Sequence, residues 1–186
     1  MGEIRRFPVG DLDPELLEYL LELTDEKKRD VAVAVSRLAL RTNRLAEPLT
    51  DEVLSALDAS QEISSVTVAV IERRVEELDE VYFDLAAEVE GPDQDGDPDD
   101  PRWSQVWALY RRARAMESLQ YACASDPLEA VHEATYNCMA AVNSDFAAVR
   151  NAAGYVPGAR PESDTSRRGG GSRSRLPRWL GGHPRP

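Results

Sequence analysis

Leu16, Leu17, Leu20, Leu21 and Leu23 recur at the spacing of one helix face, directly after Asp13-Pro14-Glu15. A side-chain acceptor followed by proline opens a helix, because proline's missing N–H is one the first turn leaves unpaired anyway. A short helix near 14–23 is expected. Thr24 or Asp25 can cap a second one, in which Val31, Val35, Leu38 and Leu45 step by three, four and seven until Pro48 stops it. Thr50-Asp51-Glu52 then caps a short helix carrying Val53, Leu54 and Leu57.

The longest periodic run extends from Ser60 to about Glu90, where Ile71, Val75, Leu78, Tyr82, Leu85 and Val89 alternate steps of four and three. Such a heptad seam predicts a helix roughly 45 Å long, which serves either as a central strut or as a seam for a homodimer. Its first part, Ser64 to Ile71, is rich in β-branched residues that would equally suit a strand. With no partner strand elsewhere, a lone strand would leave its backbone unpaired, so the helix is preferred.

Residues 91–100, GPDQDGDPDD, form an acidic loop. Asp100-Pro101 restarts the helical pattern through Trp103, Val106, Trp107, Tyr110, Ala113, Met116 and Leu119 toward Cys123. Ser125-Asp126-Pro127 caps a helix with Val131, Thr135, Cys138 and Val142 on one face, and Ser144 or Asp145 starts a last short one that Gly154 ends. The expected fold is all-α: an N-terminal extension over 1–10, an orthogonal or up-down bundle of five or six helices over 11–154, and a disordered tail over 155–186, rich in Arg, Gly and Pro.

Charge sharpens this division. The chain of 186 residues has a formal net charge of −12, but residues 1–159 hold 32 acids and 15 bases while residues 160–186 hold seven Arg and two acids. A body at −17 repels nucleic acid and anionic membrane surfaces and suits a basic protein partner. No apolar run has the length of a membrane span, and Met1-Gly2 is no myristoylation signal because Arg6 stands where Ser or Thr is wanted. Two cysteines without CxxC spacing read as reduced thiols in a cytoplasm. The ratio of 2 Lys to 20 Arg, with abundant Ala, Val and Leu, points to a GC-rich bacterial coding origin.

The candidate chemistry is sparse. Glu76, Glu80 and Asp84 fall at i, i+4 and i+8, a stripe that repels itself unless a basic surface answers it. Arg73 and Arg74 behind it are the simplest internal answer. Asp93, Asp95 and Asp97 alternate as calcium ligands do, but Pro98 occupies the glycine position and Ser104 the bidentate glutamate position, so no metal is expected. His132-Glu133-Ala134-Thr135-Tyr136 is an HExxH zinc motif with Tyr136 in place of the second His. Cys123 or Cys138 with His132 would be the remaining nucleophilic pair. Trp103, Trp107 and Tyr110 read as core, and Arg111, Arg112 and Arg114 as partners of nearby acids. No enzymatic activity and no cofactor are expected.

The segment from Lys28 to Asp58, which contains RDVAVAVSRLALRTNRLAEPLTDEVLSALD, resembles the small helical immunity proteins of bacterial polymorphic toxin systems in being acidic, Ala-rich and helical. The resemblance implies a protein that binds and blocks a cognate toxin, and it carries no site residues over. The functional expectation is a non-catalytic, protein-binding domain, an immunity protein or adaptor, that takes a basic partner through Glu76, Glu80, Asp84, Asp93, Asp95 and Asp97. The alternative is a nucleic-acid-associated protein acting through the tail, with Arg167, Arg168, Arg173, Arg175 and Arg178 neutralising phosphate and Trp179 stacking on a base.

Overall fold

In a computed structural model the chain is described over residues 8–90 and 100–158, and every regular element among them is a helix. In order they are α1 (Pro8–Leu12), α2 (Pro14–Glu22), α3 (Asp25–Thr42), α4 (Pro48–Asp58), α5 (Ser65–Glu90), α6 (Trp103–Ala122), α7 (Pro127–Ala141) and α8 (Phe146–Ala152). The class is all-α. The described residues hold eight helices rather than five or six, because each short segment stands as a separate element and α1 forms within the expected extension. Among the described residues no helix is long and apolar enough to cross a membrane.

The capping chemistry acts as the sequence indicates. Asp13 accepts from Leu16 N at 3.1 Å, Thr24 from Lys27 N at 3.4 Å, Asp126 from Leu128 N at 2.9 Å and Asp145 from Ala148 N at 3.1 Å. Three boundaries move. Asp100-Pro101 precedes α6 instead of opening it, since the helix starts at Trp103 with Arg102 at the N-cap and no side-chain cap. Pro48 opens α4 instead of merely ending α3, with Glu47 at the N-cap and Thr50 Oγ1 taking the Glu47 N–H at 3.1 Å. The long helix begins at Ser65, not Ser60, because Ser64 Oγ accepts from Thr67 N at 3.1 Å and caps it there.

The core is a triangle of α3, α6 and α7, with α5 laid on the outside of α6 and α4 on α3. Alanines at 0–3% exposure line the crossings, among them Ala32, Ala39, Ala113, Ala122, Ala130 and Ala134, so the three axes approach closely. At their centre Ser36 Oγ donates to Ser118 O at 2.8 Å, and Ser118 Oγ donates to Ala134 O at 2.8 Å. Two hydroxyl protons thereby satisfy two carbonyls on neighbouring helices in a site with no exposure. Asn43 Nδ2 joins Ala39 O to Ala141 O, and Arg29 reaches Ala124 O and Ser125 O, so α3 and α7 run parallel with matched ends.

The heptad seam of α5 is used within the chain. Ile71, Val75, Leu78 and Val89 are buried, and α5 lies antiparallel to α6, as the Gln120–Glu72, Arg114–Asp79 and Tyr110–Tyr82 contacts show in succession. The seam residues thus pack against α6 within the chain, with α5 on the outside of the bundle and not at its centre.

A clamp closes the other end. Arg150 of α8 grips Asp13 through two hydrogen bonds of 2.7 Å, and Asp13 is 4% exposed. That guanidinium fork, with the Leu16 N–H, holds the Asp13 carboxyl below its ordinary 3.8 despite its burial. Arg150 also lies over the Tyr155 ring, which meets Tyr19 edge-on at 5.4 Å, and Gly154 at φ +70° supplies the left-handed residue that ends α8.

Two outcomes are expected. Ser118→Leu should lower stability by roughly 2–3 kcal/mol in urea unfolding, since it overfills the crossing and removes the hydroxyl that donates to the Ala134 carbonyl. Arg150→Ala should cost about 2 kcal/mol by leaving the Asp13 carboxylate buried without its partner. Asp13 contributes stability above its ordinary pKa that drains as pH falls through its lowered folded value, so the wild-type stability below about pH 4 should fall more steeply than the variant's.

Candidate functional site

The feature that the bundle presents outward is the face of α5 and α6 turned away from α3. Glu76, Glu80 and Asp84 are all exposed there, and none forms an ion pair or hydrogen bond with another described residue. Arg74 does not answer them: it pairs with Glu77 at 3.1 Å and with Glu47 of α4 at 3.2 Å, which directs it to the other side of the helix. Arg73, exposed one turn before Glu76, forms no ion pair with the stripe either, so the three carboxylates have no ion-pair partner among the described residues at the i, i+4 spacing where like charges repel.

Beside the stripe stands Phe83, 63% exposed. Its ring lies 4.8 Å from Tyr82, which contacts Tyr110 at 5.5 Å; Tyr110 meets Trp107 edge-on at 6.0 Å, and Trp107 lies 6.4 Å from Trp103. Five aromatic rings therefore run in a row across two helices. The sequence reading of Trp103, Trp107 and Tyr110 as core is overturned. Trp107 is half-exposed, and the core positions of α6 are Val106, Ala113, Met116 and Leu119. Small side chains suit the close crossings of α6 with α3 and α7, and the aromatics lie outside the core cluster. Phe83 was missed altogether; its signal was an aromatic residue out of register with the seam and within one turn of Glu80.

Arg114 forms the polar edge of this row. It binds Asp79 at 2.5 and 2.6 Å, pairs with Glu117, and lies 5.5 Å from the Tyr110 ring. Burial works against its charge, and the two carboxylates more than offset that; the same burial pushes the Glu117 carboxyl up. The expected pairing of the arginine cluster thus holds for Arg114. Arg112 instead keeps a buried Nε with no hydrogen-bond partner, as does Arg114 itself.

The other candidate residues fall into two groups. Asp93, Asp95, Asp97, Arg167, Arg168, Arg173, Arg175, Arg178 and Trp179 lie outside the described residues. His132, at 2% exposure, is bound into the interior: its Nε2 accepts from Val9 N at 3.4 Å and its Nδ1 meets Glu133 at 3.1 Å. That arrangement requires a neutral ring with the proton on Nδ1, and burial, outweighing the Glu133 carboxylate, holds His132 below its ordinary 6.5. Tyr136, in the place of the second zinc ligand, is on the surface. Among the described residues no group of three or more His, Cys, Asp or Glu is placed to hold a metal. Burial pushes the Cys123 thiol up to about 11 and the Cys138 thiol up to about 12. At neutral pH both are thiols and not the thiolates that nucleophilic attack needs.

No protein-family model, no curated protein and no solved structure matches this chain.

A buried neutral histidine makes stability depend on pH with a definite sign. As pH falls below about 6.5 the unfolded chain takes up the proton before the folded one, so the contribution of His132 drains toward its lower folded value. The melting temperature should be lower at pH 5 than at pH 7.5, and His132→Gln, which keeps an acceptor for Val9 N, should flatten that slope. Glu117 titrates with the opposite sign, so the difference between wild type and variant is the measurement that isolates the histidine.

Proposed function

We propose that this chain is a non-catalytic, protein-binding helical domain that captures a basic partner on the outer face of α5 and α6, as an immunity protein or adaptor does. The observation that carries the reading is the line of Glu76, Glu80 and Asp84, without ion-pair partners and flanked by the exposed Phe83 and Trp107. Unpaired carboxylates attract a basic surface from a distance and set its orientation, while large aromatic rings supply the contact area that holds it once water is expelled. Glu90 continues directly into the segment that bears Asp93, Asp95 and Asp97 in the sequence. Two thiols held in the protonated state suit a reducing cytoplasm and ask for no redox role. The likeness of Lys28–Asp58 to toxin-immunity proteins favours a toxin as the basic partner.

Glu76→Lys/Glu80→Lys/Asp84→Lys should abolish salt-sensitive capture of a basic protein in a pull-down while leaving the circular dichroism spectrum and the melting temperature unchanged. Undiminished capture by the triple variant would remove the α5 face from the reading. Phe83→Ala and Trp107→Ala should each weaken the complex about tenfold or more, mainly by faster dissociation, because the charges that steer association remain.

A further inference from the structure

Two clefts lie along α3, and the ion pair of Arg37 with Asp58, 2.6 Å long, belongs to the wall of both. The larger, about 690 Å³, sits between the first half of α3, the connection from α4 to α5 and the turn from α6 to α7. Its size is that of ordinary small-molecule sites, roughly 300–1,000 Å³. Its wall is mixed: Val33 and Ala122, buried, and Leu57, Ile63 and Cys123, half-buried, supply an apolar patch, and Ser60, Gln61, Ser65 and Ser125 line it beside them.

The charges around this apolar patch do not balance. Asp30, Glu26 and Glu62 line the cleft, and none of the three forms an ion pair or hydrogen bond with another described residue. Of the cleft's two arginines, Arg37 pairs with Asp58 in the same wall and Arg29 donates to the carbonyls of Ala124 and Ser125 at 3.3 and 2.6 Å, so four acids of the lining face two bases. Across the shared wall the balance reverses, for the second cleft, about 560 Å³, is lined by Arg41 and Arg44. The negative potential is therefore local to one cleft and is more than a by-product of the net charge.

We propose that the larger cleft binds a small organic cation, an alkylammonium whose hydrocarbon chain covers Val33, Leu57 and Ile63 while its ammonium group meets Asp30 and Glu62. A bare metal ion does not fit the chemistry, because hard cations want several converging oxygens and no group of three or more His, Cys, Asp or Glu among the described residues is placed to hold one. Anions meet three unpaired carboxylates. A neutral apolar molecule would fill the interior and leave the rim unanswered, whereas a cation with a carbon body satisfies both. The site shares no residue with the outer face of α5 and stands or falls separately from the partner-binding reading.

The test is titration of the full chain with hexylammonium chloride at low salt, followed by the backbone amide resonances, with hexan-1-ol, hexanoate and ammonium chloride as comparison probes. Saturable shifts centred on Val33, Ile63 and Cys123 are expected, with hexan-1-ol bound about tenfold more weakly and hexanoate not at all. Asp30→Asn/Glu62→Gln should weaken hexylammonium about tenfold, and Ser65→Trp, which fills the mouth from an exposed position, should abolish its binding. Glu22→Gln/Glu52→Gln, which removes the same two charges from outside the cleft, should leave it unchanged. Equal binding of hexan-1-ol, equal shifts with ammonium chloride, undiminished affinity in the double variant, or no saturable shift with hexylammonium would each overturn the proposal.

Discussion

The close approach of α3, α6 and α7 is the constraint on which everything else in this molecule rests. It is made possible by alanines at the crossings and completed by the Ser36–Ser118–Ala134 hydrogen bonds, which satisfy in a dry interior the polar groups that small side chains leave near the axes. Three helices packed this closely favour small side chains between them, and Trp103, Trp107 and Tyr110 of α6 lie outside the core cluster.

From the same constraint follows the position of α5. It rests on α6 through Ile71, Val75, Leu78 and Val89, so the rest of its circumference faces outward. Glu76, Glu80 and Asp84 face water there, while Arg74 pairs with Glu77 and with Glu47 of α4, and Arg114 with Asp79 and Glu117. A helix supported along one side only is well suited to display a charged face. The Asp13–Arg150 clamp at the far end keeps the short helices in place without using that face.

Much of this was legible beforehand. The Asp13-Pro14 and Asp126-Pro127 starts, the Thr24 cap and the Gly154 stop mark helix ends through local hydrogen bonding and backbone freedom, which neighbouring residues alone decide. The α5 seam was equally plain, since its period is a property of one helix. Trp103, Trp107 and Tyr110 misled because helical spacing shows that residues share a face without showing which way the face turns. The pairing of Arg74 with Glu47, 27 positions away, and of Arg114 with Asp79, 35 away, left no mark at short range.

The sequence by itself determined that this chain is helical, where most of its helices begin and end, and that its body is strongly acidic, because propensity, capping and charge are local or additive. Only the tertiary structure decided which charges remain unpaired, which aromatics meet solvent, and that a cleft with an apolar patch opens beside Asp30 and Glu62. Those depend on which helices share a surface, and that choice is made by the fit of small residues at a crossing between segments some eighty positions apart.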